Sequence, residues 1–228
     1  MEAGKRERLT RDRVLSTALE VADADGIAAV TMRAVADQLG VEAMALYRHV
    51  ADKDELLDGL VDSVVAEIND ACRLLPMLQH PPDWRVVVRR RILTARTVIL
   101  RHRWAPQLIS VRGTLGPGLL EYFDHLCAEM IAGGCSIDLV HRAMHALGSR
   151  ALGFSPELFV PGSAAADNAD IAMDEMANFA EKYPHIIALA SEMMAHDDAS
   201  TVGWCDDQTE FEFGLDLILD GLEARRAL

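Results

Sequence analysis

TMRAVADQLGVEAMALYRHVADK, residues 31 to 53, packs two short helical patterns around a Gly-Val turn and follows them with a Tyr-Arg-His cluster. In the first pattern, Thr31 to Leu39, the apolar residues Val35, Ala36 and Leu39 recur at helical spacing, and Thr31 is placed to cap the helix. Gly40 is suited to the left-handed conformation that ends such a helix, and Val41 to plugging the angle that follows. The second pattern runs from Glu42 to His49; burying Leu46 leaves Ala43, Met44, Tyr47 and Arg48 more exposed. A helix of about two turns, joined to its predecessor by a turn of about three to four residues with a glycine, is the helix-turn-helix pattern. Its second helix is the one that enters the DNA major groove. This stretch therefore predicts a DNA-binding protein.

The rest of the chain predicts an all-α protein. Its 228 residues are half hydrophobic, yet the alternation that marks strands is almost absent. No apolar run reaches the roughly 18 residues of a membrane helix, and MEAGKRERLTRDR lacks the apolar centre of a signal peptide, so a cytoplasmic protein without a membrane partner is expected. Cys72, Cys127, Cys135 and Cys205 are scattered without CxxC spacing, which argues against a zinc or disulfide framework. Charge pulls the other way from the opening motif: the net charge is −14 and the pI about 4.9, where nonspecific nucleic-acid binders are basic. Residues 1–60 hold 8 Lys/Arg against 12 Asp/Glu. Lys5, Arg6, Arg8, Arg11 and Arg13 nonetheless form a local basic edge, and screening over about 8–10 Å lets such an edge meet phosphate while distant acids are muted. The overall acidity then suppresses nonspecific binding and leaves affinity to a few placed contacts.

A first helix is expected from Thr10 to about Asp25, with Leu15, Ala18, Leu19 and Ala22 buried, Thr10 as cap and Gly26 as stop. After the helix-turn-helix, Asp52 and Glu55 have capping-box spacing, and Leu56, Leu57, Leu60, Val61, Val64, Val65 and Ile68 continue a helix to about Cys72. It is too long to serve a three-helix module alone and is read as a connector between domains, residues 1–60 and 61–228. Pro76, Pro81 and Pro82 mark a break. Longer patterns follow at Asp83–Arg103, Gly118–Ala132, Ser136–Phe154, Ala169 to about Ala195, and Asp207–Arg226, the fourth split or kinked at Pro184. Ser155–Asp170 reads as a surface loop, since its composition offers little apolar area to offset ordering. The last helix has Phe211, Leu215, Ile218, Leu219 and Leu222 on one side and Phe213 and Leu217 on an adjoining one. With the stripe Ile137, Val140, Met144, Leu147 and Ala151 it suits a four-helix interface across a two-fold axis; membership of the protomer's own core is the alternative.

From Leu9 to Leu60 the chain resembles the tetracycline-repressor (TetR) family of bacterial transcription regulators. The LGV turn, the ALYRHV helix and KDELLD carry the resemblance, and FEFGLDLILDGLEA resembles the last dimerisation helix of the subgroup that contains the tetracycline repressors themselves. The resemblance implies an N-terminal helix-turn-helix DNA-binding domain with a basic arm and a C-terminal helical domain for dimerisation and effector binding. It implies a homodimeric repressor released from a palindromic operator of double-stranded DNA by a small-molecule effector. Carried over by position, Arg33 reaches a base edge, Ala43, Met44 and Tyr47 occupy the exposed face of the recognition helix, and Thr31, Tyr47, His49 and Lys53 touch phosphate, with Arg48 pointing the same way. The chemistry fits: arginine makes a bidentate contact to guanine, small and apolar side chains meet the thymine methyl, and hydroxyl and ammonium groups hold the backbone. Each also has a structural alternative, since Thr31 caps a helix with or without DNA and Arg33 can pair with Asp37 at i,i+4.

For the effector the resemblance implies a pocket lined by Ala95, Ile109, Phe123, Leu126, Cys127 and Met144, with Asn69, Arg91 and Arg112 as polar handles; closely packed core is the alternative. In the tetracycline repressors a histidine binds the drug-chelated magnesium. Ile109 fills that place here, with Ser110 and Arg112 nearby and Glu157 as a possible acidic counterpart, so tetracycline binding is not expected. His141 and His145 have zinc-compatible spacing, but HRAMH lacks the glutamate of HExxH and reads as the polar flank of an interface helix. Arg89, Arg90, Arg91, Arg96, Arg101 and Arg103 make one helix strongly basic. A second nucleic-acid surface, pairing with Asp216, Asp220 and Glu223 of the last helix, or pairing with the connecting helix would each account for them. No nucleophile elbow, phosphate-cradling loop or pair of catalytic carboxylates appears, so no enzyme and no cofactor are expected. The rival readings are a helical small-molecule-binding protein or enzyme with a vestigial helix-turn-helix, and a protein–protein adaptor.

Overall fold

The computed structural model describes residues 8–76, 83–112, 116–154, 181–188 and 207–226. The expected loop Ser155–Asp170, Glu157, and most of the Ala169–Ala195 pattern lie outside them. Among the described residues every regular element is helical. The chain divides into two compact units, residues 1–154 with 222–228, and residues 155–221.

In the first unit α1 spans Arg11–Asp25, and Thr10 caps it by accepting from the Arg13 N–H at 3.2 Å. Val14, Leu15, Ala18, Val21 and Ala22 are buried along it, while Leu19 is only half-buried. After a 3₁₀ turn at Ile27–Ala29 come α2 (Met32–Leu39) and α3 (Ala43–Leu46). The connector, α4 (Lys53–Arg73), starts at Asp52, whose carboxylate accepts from the Glu55 N–H at 2.8 Å while Glu55 accepts from the Ala51 N–H at 2.6 Å. Its apolar face, Leu56, Leu60, Val64, Val65 and Ile68, is almost wholly buried.

α5 (Trp84–Arg101) packs along α4, and α7 (Pro117–Ala132) packs against both. Between them in the chain lies α6 (Ala105–Arg112), a helix not among the expected patterns. Proline is tolerated in a helix's first turn, where its missing N–H would be unpaired in any case, so Pro106 begins this helix rather than ending one. α8 (Ile137–Leu147), capped by Ser136, is shorter than the expected Ser136–Phe154. Gly148 takes a positive φ of 51°, a 3₁₀ turn follows over Gly148–Leu152, and Gly153 at φ 83° closes it. The buried Arg96 of α5 donates to the Gly153 carbonyl at 3.0 Å and holds that turn against the bundle.

The last described helix, α9, spans Asp207–Arg226 as expected. Phe211, Leu215, Leu219 and Leu222 are buried, whereas Phe213 and Leu217 stay 61% and 58% exposed. Within 181–188 the helical turns are interrupted at Tyr183, just before Pro184. No described helix is long and apolar enough to cross a membrane.

Candidate nucleic-acid interface

The head of the molecule is assembled by local rules. Thr31 accepts from the Ala34 N–H at 3.0 Å and starts α2; Val35 and Ala36 face the core. Gly40 sits in the left-handed region at φ 66°, ψ 36°, and the Val41 N–H returns to the Ala36 carbonyl at 3.0 Å, closing a Schellman-type stop. α3 is one turn long rather than the two expected. Leu46 and Val50 are both buried, and the N–H groups of His49 and Val50 converge on the Leu46 carbonyl at 2.8 and 3.0 Å. That bifurcated bond tightens the chain out of the α-helix while keeping both apolar side chains inward.

With Leu46 inward, the polar side chains are displayed. Met44 is 74% exposed and Tyr47 46%, and Thr31, Arg33, Arg48 and Lys53 are also exposed; Ala43 and His49 are half-buried. Arg33 has only a loose partner, Asp37 at 3.8 Å, with the arginine side chain 89% exposed. Such an exposed pair contributes little and yields readily to phosphate or a base edge. Arg48 and Lys53 have no ion pair among the described residues. Behind this face Arg11 pairs with Glu55 at 3.5 Å, tying the start of α1 to the start of α4. Arg8, Thr10, Asp12, Arg13 and Ser16 line an open hollow of about 530 Å³ beside it.

Two models of known families match this chain: "Bacterial regulatory proteins, tetR family" over residues 14–60, and "Tetracyclin repressor-like, C-terminal domain" over residues 76–226. The chain belongs to the TetR family of transcriptional regulators. It is 29% identical over 221 residues to an "HTH-type transcriptional regulator" of Saccharopolyspora erythraea, covering 96% of this chain and 87% of that one. It is 30% identical to the "Tetracycline repressor protein class G" of Vibrio anguillarum, with 96% of each chain covered. The crystal structure of apo ActR from Streptomyces coelicolor superposes with a TM-score of 0.68 at 26% identity, over 97% of this chain and 98% of that one. The same protein in complex with actinorhodin superposes with a TM-score of 0.65 at 25% identity, over 95% and 96%.

Of the residues expected to line an effector pocket in this TetR-family protein, Ala95 and Leu126 are fully buried, and Ile109, Phe123, Cys127 and Met144 are half-buried. Asn69 is buried and donates to the Gly118 carbonyl at 2.9 Å, pinning α7 to α4. Arg91 turns inward from α5 and donates to Glu129 of α7 at 2.6 and 2.9 Å. Burial pulls its pKa down, but the hydrogen bond and charge of Glu129 outweigh that and hold it above its ordinary value. Burial pushes the neighbouring Cys72 thiol up, so it stays protonated and donates to the Arg91 carbonyl at 3.8 Å. Arg112 instead reaches the first half of α4, donating to Asp58 and, at 2.8 Å, to the Asp54 carbonyl. Sequence reasoning missed Glu129: one oxygen holds Arg91 while the other, Oε2, is buried without a hydrogen-bond partner among the described residues.

The other basic side chains of α5 find partners inside the protein. Arg101 pairs with Glu67 of the connector at 2.5 Å, and Arg90 donates to the Pro76 carbonyl at 2.7 Å. Glu223 of α9 is held by Trp84 and Arg226, both at 2.7 Å. His141 and His145 are exposed, with ring centroids 4.7 Å apart, and no group of three or more potential metal ligands occurs among the described residues.

Proposed function

We propose that this regulator binds a palindromic operator as a homodimer, using residues 1–60 as the reading head, and that residues 61–228 dimerise and bind a small-molecule effector that releases it. One observation carries the reading. On a helix-turn-helix whose Val35, Ala36, Leu46 and Val50 are turned inward, Arg33, Met44, Tyr47, Arg48 and Lys53 are left exposed, with only the loose Arg33–Asp37 pair among them. Arg33 reads a guanine edge, Ala43 and Met44 meet thymine methyls, and Thr31, Tyr47, Arg48, His49 and Lys53 hold phosphates. Dimerisation is supported by apolar side chains left exposed on two helices, Ile137 at 78% at the start of α8 and Phe213 and Leu217 on α9.

The effector site takes Ala95, Ile109, Phe123, Leu126, Cys127 and Met144 as apolar lining and Asn69, Arg91 and Glu129 as polar groups. The free oxygen of Glu129 suits an effector with a hydrogen-bond donor, because an unpaired buried acceptor is costly until it is met. Arg112 passes the signal: it belongs to α6 and grips the first two turns of α4 at Asp54 and Asp58, beside Lys53 of the reading head. An effector shifts the equilibrium only by binding the released state more tightly than the DNA-bound one. Catalysis has no place in this scheme, and a cytoplasmic location follows from a genomic target.

Electrophoretic retardation with DNA flanking the protein's own gene tests the reading. Wild type retards a specific duplex in excess competitor. Tyr47→Ala with Lys53→Ala loses that retardation while remaining folded, and Lys53→Ala alone lowers the salt slope of binding by about one per head. Specific retardation that survives the double substitution would refute the interface.

A further inference from the structure

His102 caps the C-terminal end of α5, its N–H directed to the Ile99 and Val98 carbonyls at 3.0 and 3.3 Å. Its side chain is buried, only 7% exposed, and both ring nitrogens face acids from different helices. Nδ1 lies 2.8 Å from Oδ1 of Asp23 in the last turn of α1, and Nε2 lies 2.9 Å from Oε2 of Glu67 on α4. An ionised carboxylate only accepts, so each contact calls for an N–H on the ring, and a ring carrying hydrogen on both nitrogens meets both acids. Its neighbours strengthen both contacts: the Trp104 indole donates to the same Asp23 oxygen at 2.7 Å, and Arg101 pairs with Glu67 at 2.5 Å.

The α5–α6 corner is thereby fastened twice, to the helix behind the helix-turn-helix and to the connector that leads into it. Trp104 and Arg101 each reach one of these helices, whereas His102 reaches both through one rigid ring and so ties the angle of α1 to that of α4.

We infer that His102, acting through Asp23 and Glu67, is the positioning residue that sets the separation of the two reading heads and so determines which half-site spacing this regulator accepts. The inference rests on the dimeric operator reading. Successive major grooves present half-sites about 34–36 Å apart, and a head on a loose joint populates that separation only part of the time. Apparent affinity falls by that fraction, while rival spacings gain what the native one loses. The touch of one head on one half-site is unaffected.

The test starts from an operator selected out of random duplex DNA by the wild-type full chain. Affinity is then measured by fluorescence anisotropy for that operator, for versions with one or two base pairs added or removed between half-sites, and for an isolated half-site. Wild type discriminates sharply against altered spacing. His102→Ala binds the native operator about tenfold more weakly, binds the half-site as wild type does, and shows a flattened spacing preference. His102→Gln, which keeps one donor, lies between the two. Asp23→Asn combined with Glu67→Gln behaves like His102→Ala, and carries the same expectation should that variant fail to fold. Folded variants that keep the wild-type spacing preference overturn the inference, as does a loss of equal size on half-site and full operator. A wild-type protein indifferent to spacing, or one that selects no operator, defeats the dimeric reading itself and the inference with it.

Discussion

Arg33 and Arg96 are both helical arginines, one with its side chain 89% exposed on the head and the other only 3% exposed in the helical body. The difference extends to their neighbours. In the body, guanidinium groups are engaged from within: Arg91 by Glu129, Arg96 by the Gly153 carbonyl, Arg101 by Glu67, Arg112 by Asp58. In the head Arg33 has one weak partner, and Arg48 and Lys53 have none among the described residues. A protein of net charge −14 thus leaves a few cations uncommitted in one place. Elsewhere it neutralises them against its own acids and carbonyls.

The comparison is broken or upheld most strongly by one substitution made in each region. Gly153 and Gly40 both have positive φ, 83° and 66°. A Cβ at Gly153 would come within 2.5 Å of the Arg96 Cα, whereas at Gly40 nothing lies within 4 Å. Gly40→Ala therefore costs the left-handed penalty alone, about 1–2 kcal/mol. Gly153→Ala adds overpacking against a main chain that cannot move aside and costs about 3 kcal/mol or more. Urea unfolding measures both, and equal losses would show that the body is no more tightly committed than the head.

The arginines themselves give the next largest effect. Arg96→Met leaves the buried Gly153 carbonyl without its donor and destabilises by about 1–3 kcal/mol. Arg33→Met removes an exposed side chain and changes stability by no more than about 0.5 kcal/mol. In operator binding the order reverses, with Arg33→Met losing about 1–3 kcal/mol of discrimination at one base pair. Chemical denaturation and anisotropy titration of the same two proteins decide it. A stability loss at Arg33 matching that at Arg96 would abolish the distinction.

Local grammar was legible in the sequence and partner choice was not. Thr10, Thr31 and Asp52 all cap the helices their positions announced, and Gly26 and Gly40 stop α1 and α2. The exposed face around Tyr47 follows from burying Leu46, because both facts are set within one turn. The helix at Ala105–Arg112 and the end of α8 at Gly148 escape sequence patterning for a related reason: whether a proline starts a helix or ends one, and whether a glycine interrupts one, depends on what packs beside it. His102 meets acids 79 and 35 residues away, and Arg112 reaches α4 across 54. Periodicity places such residues on a face but cannot name the charge opposite, which is a property of the packed bundle. The open oxygen of Glu129 is likewise visible only once Arg91 has taken its neighbour.

The smallest effect concerns how the end of α9 is secured. Glu223 accepts from Arg226 and from the Trp84 indole, and these bonds hold its carboxyl down to about 2 against an ordinary 4.5. A carboxyl whose folded value is depressed contributes stability above its unfolded value and loses it as pH falls toward the folded one. The contribution is therefore complete above about pH 4.5 and fades on the way to about 2. Asp83, lowered chiefly by its hydrogen bond to Arg85, follows the same direction. Both groups are well solvated, so the contribution is modest and salt-sensitive. Glu223→Gln keeps the shape and one acceptor but cannot titrate. Urea midpoints followed downward from pH 6 should converge for wild type and variant as the acid range is entered, with the variant the flatter of the two. Parallel curves would mean that α9 is fastened by its apolar face alone and that the Trp84–Glu223 bond adds nothing.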